Sequence, residues 1–423
     1  MLLRLATQEK EHLILRLCVR VLSLVLSGTI LLSPALAADL QAPNAVIPSS
    51  YFGLHIHHLA VPPFPTPWPS VPVPEWRLWD AIVSWADIEP SKGQWQFEKL
   101  DSYMTMAKQH GTGVLLTLGG TPSWASAYPN ASNPYYPGFC GEPANMEDWR
   151  TYVKTVVTRY KGQIQAYEIW NEPNLRDYWI GSMDQMLALT KEASTIIRSI
   201  DPQAIIVSPS ATAAFGVPWL EEFLKKGGGQ YVDVIAFHFY VNPHTLPPED
   251  MLPIIRHVQE VLAQNGASNK PVWNTETGWL EPGKFDSDDV AAAFLARALI
   301  LSWAAGVQRF YWYAWDNQHT TIMTFNESTR SITPAGVAYG IVQRWLVGAK
   351  MENCDSTSDA TWRCQLNRSG KNEWIVWNAQ GNRKFDVPSA WHVASTTRLL
   401  QDAHALKGSS VDIGPVPVLL AGR

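Results

Sequence analysis

The sequence predicts an α/β fold: a (β/α)8 TIM barrel over residues 45–346, followed by a small C-terminal antiparallel β domain, sandwich-like, over 347–423. Three observations carry that expectation. Eight short apolar or β-branched runs alternate with segments of helical period. The eight steps occupy a length that suits a barrel of about 250 residues plus insertions. Near residue 347 the helical period vanishes and strand-like pieces take over. A doubly wound open sheet is the alternative, but no Gly-rich phosphate loop follows the first run.

Residues 1–37 read as a signal peptide. Arg4, Lys10, Arg16 and Arg20 precede an apolar stretch from Val21 to Leu32, and Ala35-Leu36-Ala37-Ala38 offers a small-residue cleavage site. A core this short, ending at Ser33-Pro34, makes a poor membrane span, so the expected location is secreted or periplasmic. Membrane association enters only if the leader stays uncleaved as an anchor. Cleavage after Ala37 takes away four positive and two negative charges and moves the net charge from −5 to −7.

The expected strands run Tyr51 to His57, Glu75 to Trp79, Gly113 to Leu118, Ile164 to Trp170, Ala204 to Ser208, Val234 to Tyr240, Pro271 to Thr275 and Arg309 to Trp315. Asn145 to Tyr160 reads as a helix capped by Asn145, and Ser287 to Ala305 as one capped by Ser287 and closed by Gly306. The first connection is different. Val61 to Pro74 holds seven prolines with Phe64 and Trp68, which excludes a helix and leaves a stiff segment that either lines a cleft or covers the barrel rim. Beyond 347 the expected strands are Thr361 to Asn367, Glu373 to Trp377, Trp391 to Arg398, Val411 to Ile413 and Val416 to Leu420. Cys354 and Cys364 lie close enough in sequence to pair in an oxidising compartment, and Cys140 is then a buried, unreactive thiol.

Composition narrows the function. With 46% hydrophobic residues the chain can bury a large core, which excludes disorder. With 33 Lys+Arg against 38 Asp+Glu and no basic run, nothing marks a nucleic-acid partner. The 20 Trp, beside 14 Tyr and 13 Phe, stand out, since flat rings with one polar handle suit the gripping of sugars.

Two carboxylates carry the chemistry. Tyr167-Glu168-Ile169-Trp170-Asn171-Glu172-Pro173-Asn174 brings Glu172 to the C-terminal end of the fourth strand, where a proline stops the ladder. Val272-Trp273-Asn274-Thr275-Glu276-Thr277-Gly278-Trp279 brings Glu276 to the same end of the seventh. In a parallel barrel that end is the active-site face, and two carboxylates on opposite walls are what glycoside hydrolysis needs. A non-catalytic carbohydrate-binding barrel would be expected to lack one of them. Transglycosylation would use the same pair.

These motifs resemble the clan A retaining glycoside hydrolases. The flanks Phe52-Gly53-Leu54-His55-Ile56-His57, Arg77-Leu78-Trp79-Asp80, Thr121-Pro122-Ser123-Trp124-Ala125 and Phe237-His238-Phe239-Tyr240 are most similar to glycoside hydrolase family 39 and its bacterial polysaccharide-hydrolase relatives. The resemblance implies Glu172 as general acid/base and Glu276 as nucleophile. It implies Tyr240 as a donor to Glu276, Asn171 as the holder of the sugar 2-hydroxyl, Arg77 as the floor of the sugar site and Trp315 as its platform. Trp124 and Trp279 are further platform candidates, and His57 is a further sugar-contacting candidate. His238, on the same strand face as Tyr240, either touches substrate or sits in the core. His55, His57 and His58 suggest zinc ligands, yet no further cluster of suitable spacing accompanies them, and this chemistry needs neither metal nor cofactor. The expected partner is a carbohydrate.

Overall fold

The computed structural model describes residues 40–60, 65–241, 247–279, 287–317 and 322–422. The expected leader lies outside them, as do Pro62, Pro63 and Phe64 of the first connection.

Eight parallel strands build the barrel: β1 (Phe52–His55), β2 (Glu75–Leu78), β3 (Gly113–Leu118), β4 (Ala166–Ile169), β5 (Ile205–Val207), β6 (Ile235–His238), β7 (Val272–Gly278) and β8 (Val307–Tyr313). They follow the order β5-β4-β3-β2-β1-β8-β7-β6, and a ninth, two-residue strand, Ala211–Thr212, pairs parallel with β6 through Ala211 and Phe237. A parallel bridge between Val207 and Val234 joins the two outer strands of that order, with the Ser208 N–H donating to Val234 O at 3.0 Å. After a one-turn helix at Trp85–Ile88, seven longer helices follow β2 to β8: α1 (Glu98–His110), α2 (Met146–Arg159), α3 (Met183–Ile200), α4 (Val217–Lys225), α5 (Met251–Gln264), α6 (Asp288–Ala304) and α7 (Pro334–Leu346). Their starts follow local chemistry. Asn145, Ser182, Ser287 and Thr333 each accept a first-turn backbone N–H, and Gly306, with φ +91°, turns the chain out of α6.

Alternation along the strands sorts the side chains. Outward residues meet the helices in the large core, whereas Leu115, Ala166, Val207, Ala236, Trp273 and Tyr311 form a separate small cluster. Beside that cluster the Arg309 guanidinium lies 4.1 Å from the centre of the Trp273 ring and pairs with Glu75 at 3.1 Å.

The described part of the first connection, residues 65–74, contains no helix. It is anchored to the body of the barrel: Trp68 stacks on His110 at 4.0 Å, and the carbonyl oxygens of Val73 and Pro72 accept from Thr112 and Gln343. From Trp68 on the segment thus covers the barrel, whereas Thr66 reaches the mouth, its N–H donating to His58 O at 3.0 Å and its hydroxyl to Asp316.

The C-terminal part is antiparallel. Strands β9 (Lys350–Ser356), β10 (Thr361–Arg368), β11 (Lys371–Asn378), β13 (Val393–Arg398), β14 (Ala403–Ala405) and β16 (Val418–Gly422) form one sheet, in the order β9-β10-β11-β16-β13-β14. Strands β12 (Arg383–Asp386) and β15 (Ser410–Ile413) pair separately. Cys354 and Cys364 stand opposite each other on β9 and β10, with Cα atoms 3.9 Å apart, and form the expected disulfide. Cys140 is a buried free thiol. Among the described residues no helix is long and apolar enough to cross a membrane.

Candidate active site

Arg77, third residue of β2 and fully buried, organises the mouth of the barrel. Its Nη1 donates to Glu276 Oε2 at 2.7 Å, its Nε to Glu168 Oε2 at 2.8 Å, and its Nη2 to Asn171 Oδ1 at 2.8 Å. Thr117 on β3 adds a donor to Glu168 Oε2 at 2.7 Å. Tyr240 donates its hydroxyl to Glu276 Oε1 at 3.0 Å, the contact expected for it. His238 Nδ1 lies 2.9 Å from Glu172 Oε1. One oxygen of Glu172, one of Glu276 and a ring nitrogen of His238 all lie within 4.8 Å of one another.

The backbone is shaped to deliver these groups. Trp170 and Glu172 adopt φ +72° and +44°, in the left-handed region that ordinary residues avoid. The Glu172 N–H donates to Ser210 O at 2.9 Å, and the Thr212 N–H donates to the Asn174 side chain at 2.9 Å, so the turn after β4 is tied to the next loop. On β7 the expected strand end at Thr275 is corrected. The strand continues to Gly278 through a register shift in which Asn274 pairs with Phe310 and Thr277 with Trp312. Three steps on β7 against two on β8 make a bulge, which resets the alternation and turns Glu276 towards Arg77.

Charge divides the two carboxyls. Burial pushes both Glu172 and Glu276, 7% and 6% exposed, up to about 7. Burial pushes His238 down to about 4, so its ring is neutral at ordinary pH. Glu276 therefore faces a guanidinium and a phenol donor, while Glu172 faces a neutral imidazole and the Thr212 hydroxyl. Two carboxyls this close disfavour double ionisation, and the proton they retain near neutral pH belongs on Glu172.

The other candidates are distributed unevenly. His57 lines a cavity of about 670 Å³ with Asp80, Tyr135, Tyr178 and Tyr313. Burial opposes its protonation, but Asp316 outweighs burial and raises the ring above its ordinary range. His55 donates from Nε2 to Thr275 O at 3.0 Å, and His58 Nδ1 lies 2.6 Å from Glu327. The three imidazole rings thus have separate partners, although the backbone N–H groups of His57 and His58 both donate to Asp316. Among the described residues, the one group of His, Cys, Asp and Glu placed to hold an ion is Glu172, His238 and Glu276. Trp315, expected as a platform, is 1% exposed and stacked on Phe325 at 5.0 Å, so its ring offers no open face. Trp124 sits edge-on to Trp85 and donates to Glu89 O at 2.8 Å, away from the carboxyls. Trp279 is half-buried and packs edge-on against Phe294.

Several site groups went unmarked in the sequence. Glu168 and Tyr313 could have been found by counting two residues inward from Trp170 and Trp315. Tyr135 and Tyr178 arrive on loops and carry no such signal. Asp80 accepts from Tyr135 and, at 2.9 Å, from the Tyr313 hydroxyl, which makes the cavity wall a linked polar cluster.

Known proteins bear on this geometry. The family model described as glycosyl hydrolases family 39 matches residues 76–315, more than half of the chain, from the second residue of β2 to just past the end of β8. The chain belongs to that family. Among curated relatives, the "Beta-xylosidase" of Geobacillus stearothermophilus is 25% identical over 191 residues, 39% of this chain and 38% of that protein. The "Probable mannan endo-1,4-beta-mannosidase C" of Aspergillus terreus is 27% identical over 237 residues, 49% of this chain and 53% of that protein. The matches thus span between about two fifths and half the length of these curated relatives. The fold is shared with a glucosidase from Croceicoccus marinus, with TM-score 0.65, 15% identity and coverage of 90% of this chain and 97% of that one. It is also shared with a family 39 β-xylosidase from Caulobacter crescentus, with TM-score 0.64, 16% identity and coverage of 91% and 99%.

Proposed function

We propose that this family 39 member is a retaining glycoside hydrolase that cleaves β-glycosidic bonds in a polysaccharide or oligosaccharide by double displacement. The observation that carries the proposal is the pair Glu172 and Glu276, with oxygens within 4.8 Å and only Glu276 hydrogen-bonded to a cation. Inverting enzymes separate their carboxyls by about 6.5–9.5 Å to admit a water between them, and retaining ones by about 5–5.5 Å. In the first step the Glu172 proton passes to the glycosidic oxygen as its bond to the anomeric carbon breaks. The Glu276 carboxylate attacks that carbon and forms a glycosyl ester. In the second step Glu172, now ionised, takes a proton from water, the water oxygen attacks the anomeric carbon, and Glu276 departs as a carboxylate. Asn171, held by Arg77, is placed for the 2-hydroxyl, and His238 orients Glu172.

The names of the relatives point to xylosides, mannans and glucosides as the first substrates to try. The basic, apolar and small-residue order of residues 1–37, together with the Cys354–Cys364 disulfide, favours a secreted or periplasmic protein whose mature chain starts at Ala38 or Asp39. The test is trapping. A 2-deoxy-2-fluoro glycoside with a good leaving group should inactivate the enzyme and leave one sugar on the peptide containing Glu276. A label on any other residue would overturn the assignment.

A further inference from the structure

We propose that the β2 and β3 side of the barrel mouth forms an extended track for further units of a neutral saccharide chain, an inference that rests on the glycosidase proposal above. Three cavities lie in succession along that side, each sharing wall residues with the next. The one of about 670 Å³ shares Asp80, Pro134 and Tyr135 with a second of about 280 Å³, which in turn shares Ile82, Asp87 and Tyr136 with a third of about 470 Å³. The chain of cavities therefore leads from Tyr178, close enough to Glu172 and Glu276 to feel their charge, and Tyr313, which feels that of Glu276, out to the loops after β2 and β3.

The walls are built for flat ligands. Tyr135, Tyr136 and Ile82 are 37%, 42% and 47% exposed, among the few large apolar side chains that the described residues leave open. Their polar ends are already committed: the Tyr135 hydroxyl donates to Asp80, and that of Tyr136 donates to Asp87 Oδ1 at 2.6 Å. Asp87 is fixed in turn by the Ser84 hydroxyl at 2.6 Å. Tyr135 has its back against Phe139, with ring centres 4.7 Å apart and 20° between planes. Phe139 seats on Gly120, where a Cβ would meet its ring at 2.4 Å. The rings are thus held in place before any ligand arrives, which lowers the ordering cost of binding. Asp80 and Ile82 both adopt φ +58°, an arrangement β-branched isoleucine tolerates only where surroundings enforce it.

The chemistry selects the occupant. Ring faces alternate with carboxylates that accept hydroxyl protons, which suits a chain of sugars better than an apolar peptide. Asp80, Asp87 and Glu98 line the run, against Lys99 at its far end, so a chain of uronic acids would meet repulsion.

The test uses β-1,4-linked xylo-, manno- and gluco-oligosaccharides of two to six units and the matching aryl monosaccharide glycosides. In the series that the enzyme cleaves, kcat/KM should rise about tenfold from two to four units, mainly through KM. Tyr136→Ala should flatten that rise, whereas Tyr136→Phe should keep it. If Tyr136→Ala does not fold, Ile82→Ala on the same track should reduce the rise. A wild-type enzyme that cleaves all lengths equally, or a folded Tyr136→Ala (or, in its place, Ile82→Ala) variant with the same length dependence as wild type, overturns the track and leaves the glycosidase proposal standing. No cleavage of any of these substrates overturns both.

Discussion

At the scale of single residues, the account turns on how differently two similar carboxyls are held. Tyr240 and Arg77 both donate to Glu276, so the ionised form is stabilised there. Tyr240→Phe removes one donor to an anion, worth roughly 1.5–3 kcal/mol, and kcat should fall about 10- to 100-fold. The acid limb of the pH profile should move upward, because an ionised Glu276 with one donor fewer protonates more easily. The wild-type profile should be a bell with its optimum near the value of about 7 to which both groups are pushed. Below it the pair takes a second proton and loses the nucleophile. Above it the last proton leaves and the acid is lost. A plateau extending from acid to alkaline pH would contradict this.

The same burial bears on stability. A carboxyl whose folded value stands above its unfolded one binds more protons folded than unfolded, so stability falls as pH rises from about 4.5 to about 7. Glu172→Gln cannot ionise. It should therefore melt higher than wild type at pH 8.5, on the order of a few °C, with the gap shrinking at pH 5, as differential scanning calorimetry would show. The Asn171-Glu172-Pro173 string is legible in sequence because few strands end in two polar residues and a proline. Glu168 is not, since a polar residue inside a strand reads equally as a core ion pair. Trp315 shows the reverse error: an aromatic at a strand end reads as a platform, although Phe325, ten residues on, covers its face.

Among elements, the strands and their capped helices follow from local signals, and β6 matches the expected run to within two residues at each end. The bulge on β7 does not, because nothing in Asn274-Thr275-Glu276 distinguishes a bulged strand from one that simply ends. Gly278 shows what that bulge requires. It pairs with Tyr313 so closely that a Cβ would lie 2.0 Å from the Tyr313 carbonyl oxygen. No rotamer relieves a backbone clash, so Gly278→Ala must part β7 from β8 and displace Glu276 and Tyr313 together. It should cost about 1–3 kcal/mol of stability and most of the activity, whereas Gly370→Ala, at a β-turn with open space around it, should affect activity little. In the C-terminal sheet, β9 escapes detection because Glu352, Asn353 and Asp355 break its apolar pattern, yet it carries Cys354. The disulfide closes a short loop, separation 10 in sequence. Replacing both cysteines by serine should cost about 2–3 kcal/mol in urea unfolding.

For the whole molecule, the parallel barrel gathers residues from β2, β4, β6 and β7 at one end, although Arg77 and Glu276 are 199 residues apart. That convergence is legible from strand counting, since both carboxyls end strands of one closed parallel sheet. The β2 and β3 loops that surround the cavity are not, because their shape depends on contacts such as Tyr135 with Asp80, 55 residues away. The central claim is that Glu276 attacks the anomeric carbon directly while Glu172 supplies and retrieves a proton. The most direct measurement is proton nuclear magnetic resonance of the first sugar released from an aryl β-glycoside, recorded before mutarotation. The account predicts that the β-anomer forms first and decays to the equilibrium mixture. Initial release of the α-anomer would mean that water, not Glu276, makes the attack, and would contradict it.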